Sequence, residues 1–179
     1  MQPEPYLEDT IRQFRKQKEL ADEAIAQITT EDFFALLDKE SNSIAVVVKH
    51  IAGNQRSRWM DFLTSDGEKP DRNRESEFVI EGGETKESLL VCWEAGWRYL
   101  FDALTPLTPE DLDRTVFIRG EAHTVMQAIN RQLTHYAYHI GQIVFLARHY
   151  AGDKWQSLSI PRGKSEAVNA AMREKTDKQ

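Results

Sequence analysis

The chain has 179 residues, of which 40% are hydrophobic and 29% charged, and it carries a net charge of −6. This length suits one well-buried core, so a single domain over residues 1–179 is expected, and the composition excludes the disordered and fibrous classes. Lysine and arginine are mixed with acids, as in "IRQFRKQKEL" and "PDRNRESE", instead of lying in a stripe. Nucleic acid is therefore not expected as a partner.

The N-terminus "MQPEPYLEDT" lacks the basic patch and apolar run of a signal peptide, and no apolar stretch approaches membrane-spanning length. The expectation is a cytoplasmic protein with no membrane contact. From Tyr6 to about Ile28, Leu7, Ile11, Phe14, Leu20 or Ala21, Ala24 or Ile25, and Ile28 recur at spacings of three and four, which predicts a first amphipathic helix. "TTEDFFALLD" offers Thr30 as the cap of a short helical turn.

"SNS" supplies caps for a second long helix, from about Ser43 to Leu63. The next segment, "SDGEKPDRNRESEFVIEGG", has no helical period and is longer than helix connections usually are, which suits a lid or a partner surface. A third helix is predicted over Thr85–Leu104, capped by Thr85 and stopped before Pro106. The one cysteine, Cys92, lies in its apolar stretch "LLVCWEAGW" and reads as core filler.

"TVFI" followed by "RGE" predicts a small hairpin. The fourth and longest helix is expected from about Thr124 to Tyr150, with Gly152 as its C-terminal cap. A tail follows, with Trp155 as an aromatic anchor, a short helical piece capped by Ser165, and a charged terminus expected to fray. Periodicity thus predicts an all-α four-helix bundle with its core at about residues 5–150, a long connection after the second helix, and a C-terminal extension over residues 151–179.

Five histidines are present: His50, His123, His135, His139 and His149. His135 and His139 are four apart in "QLTHYAYHIGQ", so they lie one helical turn above each other, with Cβ atoms about 6 Å apart. The inward stripe of the fourth helix reads Val125, Ala128, Gln132, His135, His139, Gln142, Leu146; that of the second reads Val46 or Val47, His50, Asn54. Burying three imidazoles without partners is costly, and a divalent metal resolves it. A three-histidine set leaves coordination positions open for water or substrate, and imidazole suits zinc and nickel.

Asn54, Gln132 and Gln142 each stand one turn from a histidine and can accept from its second ring nitrogen, or span the bundle instead. His123 and His149, at helix ends, read as surface residues. "HYAYH" lacks the glutamate of H-E-x-x-H proteases, and "PRGKS" lacks the first glycine of a phosphate loop. No general acid or base is singled out.

"NSIAVVVKHIAGN" and "INRQLTHYAYHIGQI" together resemble the DinB-like superfamily over roughly residues 5 to 150. The resemblance implies a four-helix bundle, often dimeric, that binds a divalent metal, commonly zinc or nickel, through His50, His135 and His139. It also implies chemistry on low-molecular-weight thiols, either S-transfer or isomerisation. This sequence adds "WQSLSIPRGKS" after the last helix, a segment placed to cap the pocket or serve a dimer.

The leading expectation is a metal-dependent enzyme that activates a low-molecular-weight thiol or water toward a small-molecule substrate. The rivals are a non-catalytic metal-binding or stress-related interaction module that presents the 65–84 loop, and a bundle whose histidines are satisfied by amides alone.

Overall fold

The apolar repeat that begins at Leu7 folds as α1, Pro3–Ile25, in a computed structural model that describes residues 3–176. The helix stops three residues short of Ile28. Thr29, extended at φ −72° and ψ 169°, is already the cap of the next helix, α2 (Thr30–Phe34). Thr29 and not Thr30 takes the role because Asp32, three residues on, returns a bond to the Thr29 amide.

Ser43 caps α3, Ile44–Trp59, by accepting from the Val46 amide at 3.2 Å. This helix ends four residues before Leu63, where the repeat suggested its end. Met60 turns extended, Asp61 adopts φ 51°, and the Asp61 carbonyl accepts from the Thr64 and Ser65 amides, closing a tight turn. The Trp59 and Phe62 rings, 4.9 Å apart, pack that turn back on the helix.

Residues 64–85 hold no regular element beyond a single 3-10 turn at Glu75–Phe78. Then α4 (Lys86–Leu104) starts from a capping box of Thr85 and Ser88. The expected hairpin forms as β1 (Thr115–Ile118) and β2 (Glu121–Thr124), antiparallel, with Thr115 opposite Thr124. Arg119 and Gly120 carry its turn at φ 57° and 74°, values that fit a tight two-residue hairpin loop. Thr124 and Gln127 box the start of α5 (Val125–Ala151), and Gly152 at φ 53° ends it. The described chain closes with α6 (Ser165–Thr176); residues 177–179 of the terminus expected to fray lie outside the described residues.

The architecture is all-α apart from that hairpin. Among the long helices, α3 lies along α4 and α1 along α5, while α3 also touches α5 and α1 touches α4. Almost every residue of α3 is buried, so it is the central element. Gly96 lets α4 approach it, since a Cβ there would stand only 3.1 Å from the Ala52 Cα.

Tyr136 sits fully buried where the helices meet, its ring 5.9 Å from both Phe14 of α1 and Trp97 of α4. Its hydroxyl accepts from the Trp59 indole and donates to the Asn54 carbonyl, each at 3.0 Å. Each such aromatic adds about 1.5–3 kcal/mol of burial, and this one carries its polar end inside on bonds to α3.

Candidate metal centre

The buried stripe of α5 is Val125, Ala128, Ile129, Gln132, Tyr136, Ile140, Ile143, Leu146 and Ala147. It lies one position round from the stripe that runs through the histidines. Tyr136 takes the core, and His135 and His139 stand half-buried at its edge, facing α3. His50 of α3, only 5% exposed, meets them there. The three side chains come together as a group able to hold a metal ion, each with a ring nitrogen within 4.8 Å of the others.

The Nε2 of His135 is 3.4 Å from that of His50 and 3.1 Å from that of His139. Two nitrogens bound to one tetrahedral zinc at about 2.0–2.1 Å must themselves stand about 3.3–3.4 Å apart. The spacing therefore fits a shared ion.

Proton placement makes the same point. Glu77 Oε2 lies 2.8 Å from His50 Nδ1, and Gln142 Oε1 lies 2.8 Å from His139 Nδ1. Both oxygens accept, so both Nδ1 atoms carry the hydrogen, and the Nε2 atoms of His50 and His139 present lone pairs. His135 Nε2 faces both and can give its single proton to only one. A cation at the centre would satisfy all three.

Electrostatics keeps the His135 and His139 rings neutral, as metal ligation requires. Burial first, then the neighbouring His139 and His50, push His135 down to about 3. Burial also lowers His139, only partly opposed by its bond to Gln142.

Glu77 answers to no motif in the sequence. It belongs to the 3-10 turn of the long connection and is buried. Burial would raise its carboxyl, but His50 and the Arg72 guanidinium outweigh that and hold it below the usual range. Arg72 grips it through Nε at 2.8 Å and a terminal nitrogen at 2.9 Å. Space for the carboxylate comes from Gly53, where a Cβ would come within 2.9 Å of Glu77 Cδ.

The other amides divide. Gln142 does hold a histidine, whereas Asn54 accepts from Tyr136 and not from His50, because Glu77 already has that nitrogen. Gln132 is buried with an unpartnered carbonyl oxygen. His149 is exposed as expected, and His123 is part-buried in β2 beside Glu121.

Cys92 is exposed, contrary to its reading as core filler. The buried positions of α4 are Leu89, Trp93, Gly96, Trp97, Leu100 and Leu104, and residue 92 falls between their turns.

A cavity of about 410 Å³ opens beside the imidazoles, walled by α3, α5, the hairpin turn and the long connection, which contributes Arg72, Arg74 and Phe78. Phe78 lies 5.0 Å from the His50 ring. Residues 155–164, between α5 and α6, do not line this cavity. Gln156 instead exchanges bonds with Gln27 at the foot of α1.

Among the described residues, no helix is long and apolar enough to cross a membrane. No curated protein matches the sequence. The sequence profile of one family does match, over residues 2–164, a span holding all three histidines and Glu77, and the chain therefore belongs to the family described as protein of unknown function DUF1572.

Proposed function

We propose that this single-domain chain is a DinB-like four-helix bundle that holds one divalent cation, zinc or nickel, on His50, His135 and His139. The observation that carries the reading is the convergence of three Nε2 atoms, 3.1 and 3.4 Å apart, with two of the Nδ1 protons fixed elsewhere. The chemistry such an ion supplies when bound is the acidification of a coordinated thiol or water to a nucleophile at neutral pH.

The chain's own residues do the rest. Glu77 and Gln142 fix the ring orientation of His50 and His139, Tyr136 and the core behind it fix the backbone of α5, and the adjoining cavity admits a small substrate. We read the protein as a cytoplasmic metal-dependent enzyme, of the thiol S-transferase type in preference to a hydrolase, acting as a homodimer.

The test is metal content of the untagged chain beside His135→Ala and His139→Ala, with thermal unfolding before and after chelation. About one divalent ion per chain is expected, absent from both variants. Because an ion bound only to the folded state stabilises it by about 2.7 kcal/mol at one hundred times its Kd, chelation should lower the Tm of the wild type and leave the variants unmoved. No metal after reconstitution would overturn the reading. Metal without turnover of any thiol and electrophile would leave a non-catalytic metal-binding module.

A further inference from the structure

We propose that the cavity beside the histidines receives a small organic anion, whose carboxylate or phosphate group is held chiefly by Arg131. Five arginines line this space, Arg58, Arg72, Arg74, Arg119 and Arg131, and among the described residues no aspartate or glutamate does. The chain as a whole is acidic at −6, so this concentration of positive charge does not follow from composition.

Compensation by carboxylates is incomplete. Glu68 alone is shared by Arg58, Arg72 and Arg119, Glu77 pairs with Arg72, and Glu75 pairs with Arg74. Five guanidinium groups thus face three carboxylates. Arg131 has no carboxylate within 4 Å among the described residues. It lies four positions before His135 on α5, so it stands one turn along the same face.

Gln132 lies in the same wall, buried and with its carbonyl oxygen unpartnered, an acceptor that suits an O–H or N–H elsewhere on the ligand and not its anionic group. A planar guanidinium offers two parallel N–H donors that match a carboxylate or phosphate. A recess lined by one sign of charge also concentrates ligands of the other. At about 410 Å³ the space suits a metabolite-sized molecule.

The inference rests on the metal reading only for which end of the ligand faces the imidazoles. The anion grip belongs to the arginines and is measurable without an ion present.

The experiment is a calorimetric titration of the full chain, chelator-stripped and zinc-loaded in parallel, with inorganic phosphate and with malonate at fixed ionic strength. Wild type is compared with Arg131→Gln, and bound zinc per chain is measured in each sample. Arg131 is exposed, so its replacement leaves the helix intact, which circular dichroism verifies.

Saturable binding of at least one anion to the stripped chain is expected, weaker by about tenfold or more in Arg131→Gln, with zinc content unchanged. The tighter of the two anions assigns the group as phosphate or carboxylate. Saturation by neither, equal binding by the variant, or binding that requires zinc overturns the inference. Zinc uptake without anion binding defeats this inference alone, and anion binding through Arg131 by a chain that takes up no zinc on loading defeats the metal reading alone.

Discussion

Gly53 lies one position short of a full turn beyond His50, and its lack of a side chain is what lets Glu77 reach the imidazole. Gly53→Ala should displace that carboxylate and weaken metal binding by about 10–100-fold, as losses of a ligand's outer partner commonly do. Competition with a chromophoric chelator measures it; unchanged affinity would deny Glu77 its orienting role. Tyr136 offers a second single-residue test. Tyr136→Phe keeps the ring but strands the Trp59 indole and the Asn54 carbonyl, at a cost of about 1–3 kcal/mol in urea unfolding. At this scale the sequence was informative where spacing carries the message, as with the pair at His135 and His139. It was silent on Glu77, which is distant in sequence from every histidine and lies in a segment without period. The offset between the histidine stripe and the true core stripe also needed the structure, because Tyr136 and His135 are neighbours and either could face inward.

The helices were legible as elements because their ends are written in side chains: Ser43, Thr85 and Thr124 each cap the helix that follows, and Gly152 ends the last long one. The long connection was legible only as a gap. Its order comes from contacts across large separations, among them the Asp66 carboxylate, which accepts from the backbone amides of Glu68, Arg119 and Gly120 and so ties the connection to the hairpin turn. Burial would raise the Asp66 carboxyl, but those three donors prevail and hold it below the usual 3.8. With the folded value depressed, the stabilising contribution is present above the unfolded pKa and is lost as pH falls through the folded one. Protection of the Arg119 and Gly120 amides against hydrogen exchange should therefore fall below about pH 4. Asp66→Asn should abolish that acid dependence, and a wild type equally protected at both ends of the range would contradict the assignment.

Across the whole molecule, the family match stops at residue 164, one residue before α6 begins. The described side chains of α6 are exposed apart from part-buried Val168. A chain ending at Lys164 should keep the metal content of the full chain and its unfolding free energy to within about 0.5 kcal/mol, the range of ordinary surface changes. A larger loss, read from parallel denaturant curves, would give the terminal helix a structural part. The all-α class followed from helical periodicity, since one apolar face per helix leaves few ways to bury four of them. The cavity's arginines did not, because they come from α3, the connection, the hairpin turn and α5, and only the folded chain assembles them. The anchoring of His50 carries a kinetic consequence. One imidazole is oriented by its own helix through Gln142, but the other depends on a carboxylate from the long connection. On the proposed metal reading, an ion held there would lose the oriented His50 when that connection lifts. Release of metal to a chelator and hydrogen exchange at Glu77 should share one rate-limiting opening, with the same dependence on temperature.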